Sequence, residues 1–306
     1  MPSVPDRKTV QRRRALVSQI KEFGQREFGL PRTKNFSRYY PGRSWCFFVQ
    51  WCSQEKIWEK DEDVDERLFF DKKEAINFCH QKTNEGLDAF VFKAIGFIDE
   101  QSEKISGSPL TSKHITMERL RLAPLIFHED FHVWIKRSRS TNISADNKIE
   151  ESLAEVFGDI ATVLWLQSTG VKIDDNKFYK EEVKNAVMVC RVYDLLKRIY
   201  KNTSLGSDIK KSLKKKIFNK YKKVISMGPD WCLYKRVNFA SLYVVYGYSK
   251  YVKLFYDFFR TFGDLKNINL KMALRQIKIT DKKSKSPEDF IRRVKEFIAK
   301  NKNNKK

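Results

Sequence analysis

His128-Glu129-Asp130-Phe131-His132 is an H-E-x-x-H pattern. On a helix, residues i and i+4 lie one above the other on the same face. Two imidazoles so placed can share one zinc ion, and Glu129 then sits where it can take a proton from a water on the metal. Leu120, Leu122, Leu125, Ile126, Phe131 and Ile135 supply a core-facing apolar stripe around the pattern. Pro124 lies one turn ahead of His128, so the helix is expected to start near it or to kink there. The chain has four histidines. At that frequency the pattern arises by chance in roughly one such chain in several hundred.

Two histidines do not complete a zinc site; a third protein ligand is needed, with one position left for water. No histidine follows His132, so a carboxylate from the next helix is the simplest solution. Glu150, Glu151, Glu155 and Asp159 are the candidates. Glu155 falls one turn beyond Glu151 on the same face, where it could accept a hydrogen bond from a metal-bound imidazole.

Working outward, Arg13–Phe28 repeats apolar residues at helical spacing and stops at Gly29 and Pro31. Residues 31–44 read as loop, and Trp45–Trp51 as an aromatic strand. Residues 53–66 carry an acidic run read as a solvated loop. Asp71–Glu85 reads as a helix closed by Gly86, with His80 expected as a helix-surface or a satisfied core histidine. Leu87–Phe97 alternates as a strand, with Gly96 marking its end, and residues 99–113 as loop. An edge strand just before the motif helix could hold an extended peptide by main-chain pairing. Lys136–Lys148 is a basic loop, and a helix follows from near Ile149 to about Leu166. Helical segments are then expected over 180–202, 208–226 (strongly basic) and 238–262, with a last helix capped at Ser286-Pro287.

The predicted class is α+β: a small N-terminal sheet, the H-E-x-x-H helix, and a mostly helical C-terminal half. The expected division is 1–12 as a flexible lead-in, 13–136 as an α/β region, 137–299 as the helical region with the third ligand, and 300–306 as a basic tail.

With 61 basic and 38 acidic residues the formal charge is +23. Such a balance suits an anionic membrane surface or simply solvated lysines, and no nucleic-acid-binding motif accompanies it. No run is long enough for a transmembrane helix, and Met1–Arg7 has no apolar core of a signal peptide. Five widely spread cysteines without a C-x-x-C are expected as buried free thiols.

Several segments, in order, resemble the bacterial family of predicted aminopeptidases, a gluzincin-type group. Phe23-Gly24-Gln25-Arg26-Glu27-Phe28-Gly29-Leu30-Pro31 is similar to its F-A-x-x-E-L-G-L-P. Trp45-Cys46-Phe47, Phe69-Phe70-Asp71 and Gly86-Leu87-Asp88-Ala89-Phe90-Val91 follow in the same order. Phe127–His132 resembles F-H-E-L-A-H, and Glu151-Ser152-Leu153-Ala154 resembles E-S-F-A. Asn238–Leu242, Tyr248 and Phe255 resemble N-N-A-x-L, a tyrosine and a phenylalanine. The eighteen residues between His132 and Glu151 also match the spacing used by peptidases resembling aminopeptidase N.

The resemblance implies a zincin-like fold and one Zn²⁺ held by His128, His132 and Glu151. It implies Glu129 as general base, Tyr248 as donor to the developing oxyanion, and a peptide or protein substrate. It also implies a place in the bacterial cell envelope. The chain departs from the pattern in three ways: a longer, basic link after His132, Asp130-Phe131 in place of two small or apolar residues, and no G-A-M-E-N. The rival expectation is a catalytically silent zincin-fold protein that binds an anionic surface through its basic helices.

Overall fold

A computed structural model describes residues 5–40, 45–95, 108–172, 174–226 and 237–303. The expectations for residues 1–4, Pro41-Gly42, Gly96-Phe97, the loop 99–107, Cys232 and the tail 304–306 lie outside the described residues. Contacts divide the chain into two discontinuous units. The first is Met1–Ser44, Phe97–Val183 and Tyr251–Lys306; the second is Trp45–Gly96 and Lys184–Lys250. The packing thus cuts across the linear division at 136/137, because strands and helices distant in sequence share each core.

In the first unit, α1 (Arg7–Phe23) begins inside the expected lead-in. Asp6 makes that possible: its carboxylate accepts from the Thr9 amide at 2.9 Å and caps the helix. A π-helical turn over Gly24–Phe28 follows and ends on Gly29 at φ 74°. Short strands β1 (Tyr39–Tyr40) and β5 (Leu110–Thr111) pair in parallel. The latter strand and α3 (Ser112–Thr116) occupy residues expected as loop.

The second unit contains β2 (Trp45–Ser53), β3 (Val64–Phe69), α2 (Lys72–Asn84) and β4 (Leu87–Ile95). The strands form an antiparallel sheet in the order β3-β2-β4. Strand β3 was expected as loop; its Asp65, Glu66 and Arg67 are exposed, and that charge obscures its alternation. Both sheet faces are covered. Val49, Ala89 and Val91 pack with Ala75 and Cys79 of α2, while Cys52 and Phe90 join a second cluster on the opposite face. Asp71 caps α2, and Gly86 at φ 81° turns the chain into β4.

The remaining helices are α4 (Arg119–Arg137), α5 (Thr141–Ser144), α6 (Asn147–Ser168), α7 (Asp175–Lys201), α8 (Ser207–Ser226), α9 (Phe239–Ser249), α10 (Val252–Phe259), α11 (Leu270–Lys283) and α12 (Pro287–Asn303). Helix α7 begins in the first unit and continues into the second, to which α8 and α9 belong. Helix α9 is seated on β4: Asn238 Nδ2 donates to Ala89 O at 2.7 Å, and the Phe239 amide donates to Asp88 at 2.8 Å. In the basic helix α8, Lys214 pairs with Asp88 and Lys211 with Glu55, so part of its charge is matched within the protein. No described helix is long and apolar enough to cross a membrane. Cys46, Cys52 and Cys79 are buried and Cys190 is half-buried, and none of these four described cysteines is in a disulfide. His80 is exposed on α2, the first of its two expected roles.

Candidate metal centre

Helix α4 carries the H-E-x-x-H and begins at Arg119, with Pro124 inside it rather than at its start. Leu122, Ile126, Phe131 and Ile135 of the predicted stripe are buried, whereas Leu120 is half-exposed and Leu125 only partly buried. The buried stripe therefore begins at Leu122 rather than at Leu120. Phe131 stacks on Phe157 of α6 with centroids 4.5 Å apart, and Phe28 meets Phe157 edge-on at 5.8 Å. These rings hold α4 and α6 face to face.

The link between the two helices is ordered by distant residues. Asp281 of α11 accepts from the amides of Asn142 and Ile143 at 3.1 and 3.2 Å. The Asn142 side chain donates to the carbonyls of Asp281 and Ser284. This pins α5, which occupies part of the expected loop. Asp146 then caps α6 by accepting from the amides of Lys148 and Ile149. The start of α6 is set in this way, and with it the azimuth of Glu150, Glu151 and Glu155.

His128 Nε2 and His132 Nε2 lie 3.0 Å apart. Glu151 Oε2 lies 3.3 Å from the first and 3.6 Å from the second. Ligands about 2.0–2.1 Å from a tetrahedral zinc stand roughly 3.3 Å from one another, so the triangle fits a single ion. The outer nitrogens face carboxylates as well: Glu150 Oε1 is 2.6 Å from His132 Nδ1, and Glu155 Oε2 is 3.4 Å from His128 Nδ1. Protons on the outer nitrogens leave two Nε2 lone pairs facing each other. Glu151 Oε2 is buried and takes no well-aligned hydrogen bond. A cation at the centre, a proton or a metal ion, would satisfy that arrangement.

The electrostatics point the same way. Burial alone lowers the His132 pKa, but the hydrogen bonds to Glu150 and Glu151 outweigh it and push it up to about 9. Against the same burial penalty, Glu151 and Glu155 raise His128 well above its ordinary value. Burial likewise raises Glu151, yet the two imidazoles hold it far below the usual carboxylate range. Further along, burial followed by the charges of Glu155 and Glu182 raises Asp159, which accepts a hydrogen bond from Tyr256 Oη at 2.7 Å. Burial, then Glu155 and Glu181, lifts Glu182 to about 7. This acid-rich neighbourhood favours a positive charge at the triangle, whether protons or a metal.

His128, His132 and Glu151 are thus brought together as a group able to hold a metal ion. A profile of the family described as "Putative aminopeptidase" matches residues 3–304. The chain belongs to that family. No curated protein and no solved structure matches it. The family's description makes the chain a member of a peptidase group and implies a peptide substrate.

The other predicted residues fall as follows. Glu129 is half-buried on α4, between the two histidines in sequence. Glu150, read as an alternative ligand, addresses the far nitrogen of His132 instead. Asp159 bonds Tyr256 and is not part of the triangle. Tyr248 is half-buried on α9 in the second unit, packed against that unit's core. Two features escaped the sequence reading. Asp130, inside the motif, is buried and accepts from Thr33 Oγ1 and Asn35 Nδ2 at 2.5 and 3.0 Å. Gly158 sits directly against α4. The only trace of either in sequence is a charged residue where the family pattern has a small or apolar one, and a glycine inside a helix.

Proposed function

We propose that the protein is a zinc-dependent peptidase in which His128, His132 and Glu151 hold one Zn²⁺. The observation that carries this reading is the triangle of two Nε2 atoms and one buried carboxylate oxygen, with edges of 3.0, 3.3 and 3.6 Å. Zinc bound there would lower the pKa of a coordinated water toward about 7 and polarise the scissile carbonyl. Glu129 takes the proton as the water attacks the peptide carbonyl, then delivers it to the leaving amine. Glu155 orients the imidazole of His128 through its Nδ1 atom. The substrate is a peptide, and the family's name favours removal of an N-terminal residue.

Metal analysis with a peptide-library cleavage profile tests the reading. Purified protein should carry about one zinc per chain and cleave peptides. Glu129→Gln should retain the zinc and lose hydrolysis by at least about 100-fold. Protein that takes up no zinc, or a Glu129→Gln variant of full activity, would overturn it.

A further inference from the structure

Glu150 and Glu151 are adjacent on α6, and neighbours on a helix point about 100° apart. They cannot both face the Nε2 side of the motif. They instead bracket one ring: Glu151 Oε2 lies 3.6 Å from His132 Nε2, and Glu150 Oε1 lies 2.6 Å from His132 Nδ1. The Glu150 and His132 side chains are 12% and 17% exposed. A distance of 2.6 Å belongs to the short, charge-assisted class. The corresponding contact of His128 is looser, at 3.4 Å, and its partner Glu155 is 44% exposed. The two imidazoles are therefore not equivalent: one is held by a buried carboxylate, the other by a partly solvated one.

We infer that Glu150 is a positioning residue for His132. It fixes the proton on Nδ1, aims the Nε2 lone pair at the metal, and strengthens that donor with a full negative charge where a neutral acceptor would supply only orientation. This inference rests on the metal reading above. It adds a determinant of metal affinity outside the ligand set, and it makes the tandem Glu150-Glu151 a ligand and its support on adjacent positions of one helix.

The test compares wild type, Glu150→Gln and Glu150→Ala for Zn²⁺ and Co²⁺ affinity by chelator competition, and for the visible absorption of the Co²⁺ form. Circular dichroism of the metal-free proteins monitors folding. Glu150→Ala should weaken Zn²⁺ binding about 10- to 100-fold and alter the Co²⁺ spectrum. Glu150→Gln, which keeps an acceptor and loses the charge, should fall between Glu150→Ala and wild type, and it carries the test if Glu150→Ala does not fold. Variants that bind both ions within twofold of wild type, with an unchanged Co²⁺ spectrum, overturn the role of Glu150 alone. Wild-type protein that takes up neither ion overturns the metal reading itself.

Discussion

A Cβ atom on Gly158 would stand 2.7 Å from the carbonyl oxygen of Pro124 and 3.4 Å from the amide nitrogen of His128. Helices α4 and α6 therefore approach as closely as they do only because position 158 has no side chain. Alanine would gain up to about 1 kcal/mol of helix propensity, but it would drive a methyl into a backbone carbonyl that cannot rotate away, and overpacking costs about 1–3 kcal/mol. The steric term wins. Gly158→Ala should be destabilising in chemical denaturation and should weaken zinc binding, since moving α6 from α4 withdraws Glu151 from the imidazoles. A variant more stable than wild type with unchanged zinc affinity would contradict this account of the contact.

The buried cluster around Asp130 should also be sensitive. Lys21 Nζ lies 3.8 Å from Asp130 and donates to the carbonyls of Thr33 and Asn35 and to Thr33 Oγ1. Removing the carboxylate strands a buried ammonium, at a cost of about 3–5 kcal/mol. Asp130→Ala should lose that much in urea unfolding, and Asp130→Asn, which keeps an acceptor, should lose less. A loss below about 1 kcal/mol for Asp130→Ala would show that the cluster relaxes freely.

Metal binding should raise stability by mass action, because the triangle exists only in the folded chain. At a free zinc concentration of 100 Kd the gain is about 2.7 kcal/mol. Differential scanning fluorimetry should show an upward shift with zinc and its reversal by a chelator. The shift should vanish in His128→Ala. An equal shift in that variant would place the binding elsewhere.

His114 provides a pH dependence. Its ring is fully buried, accepts from the Thr111 amide at Nδ1 (3.0 Å), and meets Phe36 edge-on. Burial, then the charge of Lys113, lowers its pKa to about 4 from 6.5. The folded state thus refuses a proton that the unfolded chain accepts. His114 has no effect above pH 6.5, and its neutral form becomes a growing penalty as pH falls from 6.5 to 4, reaching about 3 kcal/mol. Chemical denaturation across that range should show a steeper acid loss for wild type than for His114→Gln. Parallel curves would count against a buried neutral ring.

The motif and the helix under it were legible because they obey a local rule. Residues four apart on a helix share a face whatever else the chain does. The aromatic run of β2, the alternation of β4 and the capping signature at Ser286-Pro287 are equally local. Strand β3 was not legible: an edge strand has one side in solvent, so its charged residues imitate a loop. Periodicity alone left Glu150, Glu151, Glu155 and Asp159 open, and only the resemblance in spacing favoured Glu151, since a one-residue step acquires a physical meaning once the partner helix is in place.

The residue types at the candidate site, their periodicity and the family are all written in the linear chain. Packing assigned Glu151 to the inner nitrogens and Glu150 to an outer one, made Gly158 the close contact, and joined Lys21, Thr33 and Asn35 to Asp130. The physical reason is range. Helical periodicity acts over one or two turns, whereas the azimuth and separation of α4 and α6 come from contacts such as Asn142 with Asp281, on residues nearly half the chain apart.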